Sequence, residues 1–162
     1  MQGNIYRLHH TRLLDDRIGV LLAQAQDKLE GHVIVCGFGV VGQKVVEVLE
    51  EHGIPFVIIE IMPQVVEHIR ELDYRVIAGD ATASRVLRMA SIATAKAIAI
   101  VMDNDAKNLF AVLTARDLNK NIFIATRAND AMVREKMLEA GADYIATPQK
   151  SASEEIFGEI TK

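Results

Sequence analysis

The chain has 162 residues, half of them hydrophobic and a quarter charged, which suits one soluble globular domain with its own core. A net charge of −4 without a basic run argues against nucleic acid as a partner, and a single cysteine excludes an internal disulfide. No stretch reaches the roughly 18–20 apolar residues of a membrane span.

Residues 1–30 begin the chain with an amphipathic pattern. Gly31 follows this pattern at the position where a helix would end. We predict a connector helix that either packs on the following domain or docks another subunit. Its apolar residues at helical spacing are Leu13, Leu14, Ile18, Leu21, Leu22, Ala25 and Leu29.

From residue 32 onward, short β-rich runs alternate with helical patterns. Several runs are almost continuously apolar, as expected of strands buried on both faces of a parallel sheet. Alternation with right-handed crossovers predicts an α/β fold, a doubly wound, Rossmann-like parallel sheet of six strands in the order 3-2-1-4-5-6. The predicted strands are 32–36, 56–60, 75–78, 97–102, 122–127 and 144–147, and the predicted helices are 40–52, 63–72, 82–91, 105–118 and 129–140.

A glycine-rich turn joins the first predicted strand to the first predicted helix. Gly37, Gly39 and Gly42 have the G-x-G-x-x-G spacing, which is typical of dinucleotide binding in this context. Gly37 would permit the tight turn, Gly39 would let a pyrophosphate approach the backbone, and Gly42 would let the helix pack closely. The N–H groups and the dipole of the helix start would then face the phosphates.

An acidic residue ends the second predicted strand. Glu60 lies eighteen residues after Gly42 and can accept hydrogen bonds from both hydroxyls of an adenosine ribose. The residues that follow it, Ile61, Met62 and Pro63, offer no cation for a 2′-phosphate. The pattern therefore favours NAD(H) or an adenine nucleotide over NADP.

The "GDAT" loop, residues 79–82, follows the third predicted strand at the same sheet edge. Asp80 would either accept a hydrogen bond from the adenine amino group or cap the following helix. Main-chain groups at Ala81 would contact the edge of the adenine ring.

Two charged residues lie at the ends of the fourth and fifth predicted strands and face the point where the first and fourth strands diverge. Asp103 would approach a second ribose, and Arg127 would pair either with phosphate or with Asp103. A purely structural pair is the alternative. The histidines and the cysteine have no metal-ligand spacing, and no set of residues suggests hydrolysis.

The last segment, residues 149–162, has a helical pattern of its own. Ser151 and Glu154 have capping-box spacing, and Ile156, Phe157 and Ile160 form an apolar stripe. We predict a crossover helix that makes the chain at least a dimer. The predicted organisation is a connector (1–30), a nucleotide-binding domain (31–148) and this helix.

Six segments together resemble the RCK (KTN) nucleotide-binding domain, which regulates potassium channels and potassium-uptake systems. They are "GHVIVCGFGVVGQ", "FVIIE", "VIAGDAT", "MDNDAKNLFAVLTARDLN", "IFIATRAN" and "EAGADYIATP". The resemblance covers residues 31–148 and implies that NAD(H), or alternatively AMP, ADP or ATP, is the ligand. The implied binding residues are Gly37, Phe38, Gly39, Val40, Val41 and Gly42 with Arg127 around the phosphates, Glu60 and Ile61 at the ribose, Gly79, Asp80 and Ala81 at the adenine, and Asp103.

The resemblance also implies a place in the cell and a set of partners. The expected partners are further copies of the chain, in a dimer or larger ring, and a pore-forming potassium channel or transporter subunit at the cytoplasmic face of the membrane. A second ligand-binding subdomain, which often follows in the family, is not expected, and calcium control is doubtful because Asp103 is the only acid in that region.

The sequence also allows two functions other than regulation. A small NAD-dependent oxidoreductase is disfavoured because the cofactor fold uses nearly the whole chain. Only Lys107 could serve as a proton donor near the nicotinamide. An assembly module with a vestigial pocket is the other alternative. We therefore expect no enzymatic activity.

Overall fold

The structure is a computed structural model that describes residues 29–162. Apart from its last two residues, the predicted connector helix lies outside this range. Within the range, no helix combines the length and the apolarity that crossing a bilayer requires.

The described residues form a single parallel sheet flanked by helices. Its strands pair in the order β3-β2-β1-β4-β5-β6, so the predicted doubly wound topology is confirmed. The strands are β1 (Val33–Cys36), β2 (Phe56–Glu60), β3 (Val76–Ala78), β4 (Ala97–Ile100), β5 (Phe123–Arg127) and β6 (Tyr144–Ala146). The helices are α1 (Val40–Glu51), α2 (Pro63–Glu71), α3 (Ser84–Met89), α4 (Asp105–Leu118), α5 (Ala131–Ala140) and α6 (Pro148–Ile160).

The central strand β1 is apolar throughout because both of its faces are covered. Val33 and Val35 pack in a cluster with α1 and α2, whereas Ile34 and Cys36 pack in a cluster with α3, α4 and α5. This alternation follows from the two-residue period of a strand. Cys36 is fully buried, and burial raises the pKa of its thiol well above the usual range, so the thiol is unreactive.

The fourth strand ends two residues earlier than predicted. The main chain of Met102 pairs with a side chain instead of a neighbouring strand, because its N–H donates to Asn108 Oδ1 at 3.1 Å. Its carbonyl accepts from Asn108 Nδ2 at 2.8 Å. The apolar run 97–102 therefore leaves the sheet after Ile100, where Asn108 in the first turn of α4 bonds the main chain of Met102.

The last helix begins three residues before Ser151. Thr147 is its N-cap residue, Pro148 occupies the first turn, and the Ser151 N–H donates to the Thr147 carbonyl inside the helix. The predicted capping box at Ser151 and Glu154 is therefore wrong, because proline favours an earlier helix start.

Helix α6 has no buried residue within the described part of the chain. Its stripe is open to solvent, with 60% of Ile156, 67% of Phe157 and 77% of Ile160 exposed. The helix therefore extends away from the core formed by the rest of residues 29–162.

Candidate functional site

A cleft of about 330 Å³ opens at the carboxyl ends of β2, β1 and β4. This is the edge at which ligands bind in open α/β sheets, next to the reversal of strand order. Eight of the predicted binding residues line the cleft: Gly37, Phe38, Gly39, Glu60, Ile61, Gly79, Ala81 and Asp103.

The three glycines of the turn differ in what requires them. Gly37 has a φ of 98°, which disfavours any other residue, and a Cβ on Gly42 would lie 2.0 Å from the Gly37 carbonyl oxygen. Gly39 has an ordinary φ of −80°. A Cβ there would meet its nearest atom, Asp103 Oδ2, at 3.5 Å. The fold therefore requires glycine at the first and third positions of the motif but not at the second.

Glu60 is held in place by main-chain donors. Its Oε2 accepts from the Phe38 N–H at 3.0 Å, and its Oε1 accepts from the N–H groups of Ile61 at 3.0 Å and Met62 at 3.1 Å. A carboxylate has about four acceptor positions, so these bonds leave capacity for a ligand hydroxyl. Glu60 thus joins the end of β2 to the glycine turn while lining the cleft.

Asp80 closes a local turn in the loop after β3. Its Oδ1 accepts from the Thr82 N–H at 2.9 Å and from Thr82 Oγ1 at 2.7 Å, and these bonds lower the pKa of its carboxyl group. The N-cap residue of α3 is Ala83, so the prediction that Asp80 caps this helix is wrong. An Asx turn is the competing use of such a side chain.

Asp103 and Arg127 form an ion pair beside the glycine turn. Arg127 Nη1 donates to Asp103 Oδ1 at 3.0 Å, and Arg127 Nη2 donates to Asn129 Oδ1 at 3.0 Å. The side chain of Arg127 is only 9% exposed, whereas that of Asp103 is 82% exposed. The guanidinium Nε is buried without a hydrogen-bond partner. The predicted pairing of these residues is confirmed, and its exposed partner faces the cleft.

Two side chains of the "DNDAKN" segment hold the ends of β4 and β5 together. Besides bonding both main-chain groups of Met102, the buried Asn108 donates to the Arg127 carbonyl at 3.3 Å. Asp105 accepts from the N–H groups of Asn129 and Asp130 at 3.0 Å. We call Asp105 and Asn108 the strand-end clamp.

The other predicted residues do not line the cleft. Val40 is 81% exposed at the start of α1, and Val41 packs against the core cluster under α1 and α2. Gly42 packs against the turn, and Arg127 lies behind Asp103. Asp80 is turned toward Thr82.

Several residues of the cleft wall were not among the predicted binding residues. They follow β2 and β4, the two neighbours of β1, and that position in the predicted topology is the signal that could have identified them. The missed residues are Met62, Val65, Val101, Met102 and Asn104, together with Lys107, which had been considered only as a proton donor. Ile59, within β2 itself, also lines the cleft.

The cleft wall carries few reactive groups. Among the described residues that line it, the ionisable ones are Glu60, Asp103 and Lys107. Residues 29–162 contain no group of three or more histidine, cysteine, aspartate or glutamate side chains that could hold a metal. The arrangement can bind an anion and hydroxyl groups, but it contains no nucleophile paired with a base.

Comparison with known proteins identifies relatives of the chain. It is 35% identical over 150 residues to potassium channel protein 1 of Methanocaldococcus jannaschii, covering 91% of this chain and 43% of that protein. The chain thus spans less than half the length of this relative. The TrkA-N domain of the Escherichia coli inner membrane protein ybaL shares the fold with a TM-score of 0.77 and 25% identity, covering 81% of this chain and 97% of that one.

Two solved structures with bound nucleotides have the same fold. The GsuK channel bound to NAD matches with a TM-score of 0.69 and 24% identity, over 74% of this chain and 22% of that one. The Shewanella denitrificans Kef CTD in its AMP-bound form matches with a TM-score of 0.67 and 25% identity, over 75% of this chain and 73% of that one. The TrkA-N domain family matches residues 33–148. The resemblance to RCK (KTN) domains is thereby confirmed, and the chain belongs to the TrkA-N domain family.

Proposed function

We propose that this domain binds an adenine nucleotide, NAD(H) or one of AMP, ADP and ATP, in the cleft at the glycine turn. By doing so it regulates a potassium channel or transporter at the cytoplasmic face of the membrane. The observation that carries the proposal is Gly39, a glycine that the fold does not need.

The space beside Gly39 is suited to phosphate. The residue precedes α1, whose first turn contains no acidic residue, so the free N–H groups and the helix dipole favour an anion there. Neither backbone strain nor a neighbouring atom requires glycine at this position, whereas the close approach of a phosphate to the main chain would.

The rest of the cleft would hold the nucleoside. Glu60, fixed by its main-chain bonds, would accept from a ribose hydroxyl. The exposed apolar side chains of Ile61 and Met62 lie next to it, and Ala81 lies on the adjoining loop. Together they would contact the adenine ring.

The relatives support the regulatory part of the proposal. A potassium channel protein shares a third of the residues over most of this chain, and a Kef domain of the same fold has been solved with AMP. We propose that the connector residues 1–30 and helix α6 attach the nucleotide-binding unit to its partners. Binding would then act by favouring one arrangement of two domains over another.

Calorimetry with Gly39→Ala tests the binding site. The protein, stripped of nucleotide, should bind at least one of NAD, NADH, AMP, ADP and ATP at about the micromolar level, equivalent to roughly 8 kcal/mol. Gly39→Ala should keep its melting temperature but lose binding, because a methyl group would occupy the phosphate space. Binding of no nucleotide, or unchanged binding by Gly39→Ala, would refute the proposal.

A separate assay tests regulation against turnover. The rival oxidoreductase requires a proton relay, and we propose that the cleft lacks one. NADH absorbance should therefore follow the protein-free blank for hours with a panel of 2-hydroxy and keto acids. Protein-dependent oxidation or reduction above that blank would favour the enzyme.

A further inference from the structure

We propose that a second cavity of this domain binds a small oxyanion, the class that includes phosphates and carboxylates, and that Arg127 links it to the cleft at the glycine turn. The cavity has a volume of about 270 Å³ and lies at the carboxyl ends of β5 and β6, beside the starts of α5 and α6. We call it the α5–α6 cavity. It shares no lining residue with the cleft, so the inference goes beyond the proposed function.

The described wall of the α5–α6 cavity carries positive charge and no acidic residue. Its polar lining residues are Asn129, Arg134, Thr147, Gln149 and Lys150. Arg134 has no hydrogen-bond or ion-pair partner within residues 29–162. Lys150 pairs only with Glu154, at 3.7 Å between two largely exposed side chains, and such a pair contributes little. Both cations therefore remain available to an anion.

A third, buried cation lies next to this wall. Arg127 Nη2 donates to Asn129 Oδ1 at 3.0 Å, and Asn129 lines the cavity. A guanidinium has five N–H donors, and the bonds to Asp103 and Asn129 use two of them. The side chain is only 9% exposed, and its Nε has no partner. Because buried donors are normally paired, this incompletely bonded cation favours an anion nearby.

The start of α6 offers donors that the described part of the chain does not use. The Thr147 side chain makes no capping hydrogen bond. Pro148 has no N–H, and the Ser151 N–H is the first of the helix to donate to a main-chain carbonyl, that of Thr147. The N–H groups of Gln149 and Lys150 are therefore free to donate to an oxyanion in the cavity.

Arg127 also lies beside the cleft at the glycine turn, because its Nη1 is 3.0 Å from Asp103 Oδ1 and Asp103 lines that cleft. The carboxylate of Asp103 partly neutralises the guanidinium. Removing that negative charge should therefore strengthen the attraction of Arg127 for an anion in the α5–α6 cavity.

Amide NMR on the nucleotide-free 162-residue chain tests the site, with inorganic phosphate as the probe and chloride holding the ionic strength constant. The signals of Asn129, Thr147 and Gln149 should shift and saturate at about the millimolar level. Arg134→Gln should weaken this binding by about fivefold, and Asp103→Asn should strengthen it by about threefold. Lys136→Gln is the matched control, because it removes an exposed cation of α5 that does not line the cavity, and it should change nothing.

Phosphate bound at the glycine turn can be distinguished with Gly39→Ala. In that variant the turn should no longer respond, whereas Asn129, Thr147 and Gln149 should keep their response. Shifts that never saturate, equal weakening by Arg134→Gln and Lys136→Gln, or loss of the Asn129 response in Gly39→Ala would overturn the site. Unchanged phosphate affinity in Asp103→Asn would overturn the link through Arg127. None of these results depends on whether the cleft binds a nucleotide.

Discussion

The Glu60 carboxylate accepts a hydrogen bond from the Phe38 main-chain N–H at 3.0 Å, so the acid at the end of β2 supports the glycine turn. A glutamine in its place lacks the charge and one acceptor oxygen. We expect Glu60→Gln to weaken nucleotide binding by about 1.5–3 kcal/mol and to lower the free energy of unfolding by about 1–2 kcal/mol. Calorimetry and urea unfolding measure the two effects.

The two roles of Glu60 can be separated with a modified ligand. A 2′,3′-dideoxy nucleotide offers no ribose hydroxyl, so the binding loss in Glu60→Gln should shrink with it, while the stability loss stays. Glu47→Gln, which changes an exposed acid paired with Lys44, is the matched control and should change neither quantity. An equal loss with both ligands would contradict a ribose contact.

Helix α6 should hold the chain in a dimer. Burying the exposed Ile156, Phe157 and Ile160 against a second copy would contribute roughly 1.5–3 kcal/mol each before the cost of association. Phe157→Asp should shift the protein toward monomer in light scattering without changing its circular dichroism. Ser151→Asp is the control, because at 100° per residue Ser151 points away from this stripe. An unaltered chain that is monomeric at high micromolar concentration contradicts the assignment.

Arg116 should be essential for stability. Its guanidinium donates to the carbonyl groups of Asn119, Lys120, Ile122 and Gly141, and to Asp143 Oδ2, so it joins the ends of α4 and α5. Lysine cannot reproduce this planar set of donors. We expect the Arg116→Lys substitution to lower the free energy of unfolding by about 2–4 kcal/mol, measured with urea.

The exposed Arg88 provides the control for this measurement. Arg88→Lys makes the same chemical change on the surface of α3 and should alter stability by less than about 0.5 kcal/mol. Similar losses of unfolding free energy in the two variants would show that the hydrogen bonds of Arg116 do not stabilise the fold.

His32 should make stability depend on pH. It is fully buried, with Nε2 2.7 Å from the Ala90 carbonyl oxygen and Nδ1 without a partner, so only the neutral ring fits. Burial lowers the pKa of His32, and the charge of Arg75 lowers it further against the opposing bond to Ala90. Below pH about 6.5 the unfolded chain binds the proton first. Stability should therefore fall as the pH drops, by at most about 1.4 kcal/mol per pH unit.

Urea unfolding at pH 7.5 and 5.5 measures this dependence. His32→Gln keeps a donor for Ala90 and removes the titration, so its decrease between the two pH values should be smaller. His68→Gln changes an exposed histidine near Glu71 and should retain the decrease. Equal slopes in all three proteins would show that His32 does not titrate differently in the folded state.

The sheet could be predicted from the sequence because burial on both faces leaves a direct signal in apolar strands. The cleft wall was only partly predictable. Glu60 could be identified by its spacing, but its bond to Phe38 depends on two strands meeting in space. Arg116 and Asn108 look like ordinary polar residues of a helix, because the acceptors that join them to other elements lie far along the chain. Arg116 reaches Gly141 and Asp143, and Asn108 reaches Arg127. The start of α6 was predicted from the spacing of Ser151 and Glu154 alone, and Pro148, which begins the helix, was not recognised as a start signal.

The strand-end clamp has a consequence for the thermodynamics of binding. Asn108 and Asp105 use contacts within the chain to position the main chain around Asp103 and Arg127, so this part of the crevice is organised before any ligand arrives. A preorganised wall loses little conformational entropy on binding. In the proposed function, most of the free energy of association would therefore remain available to favour one arrangement of two domains, and the crevice would bind its ligand without a closing lid.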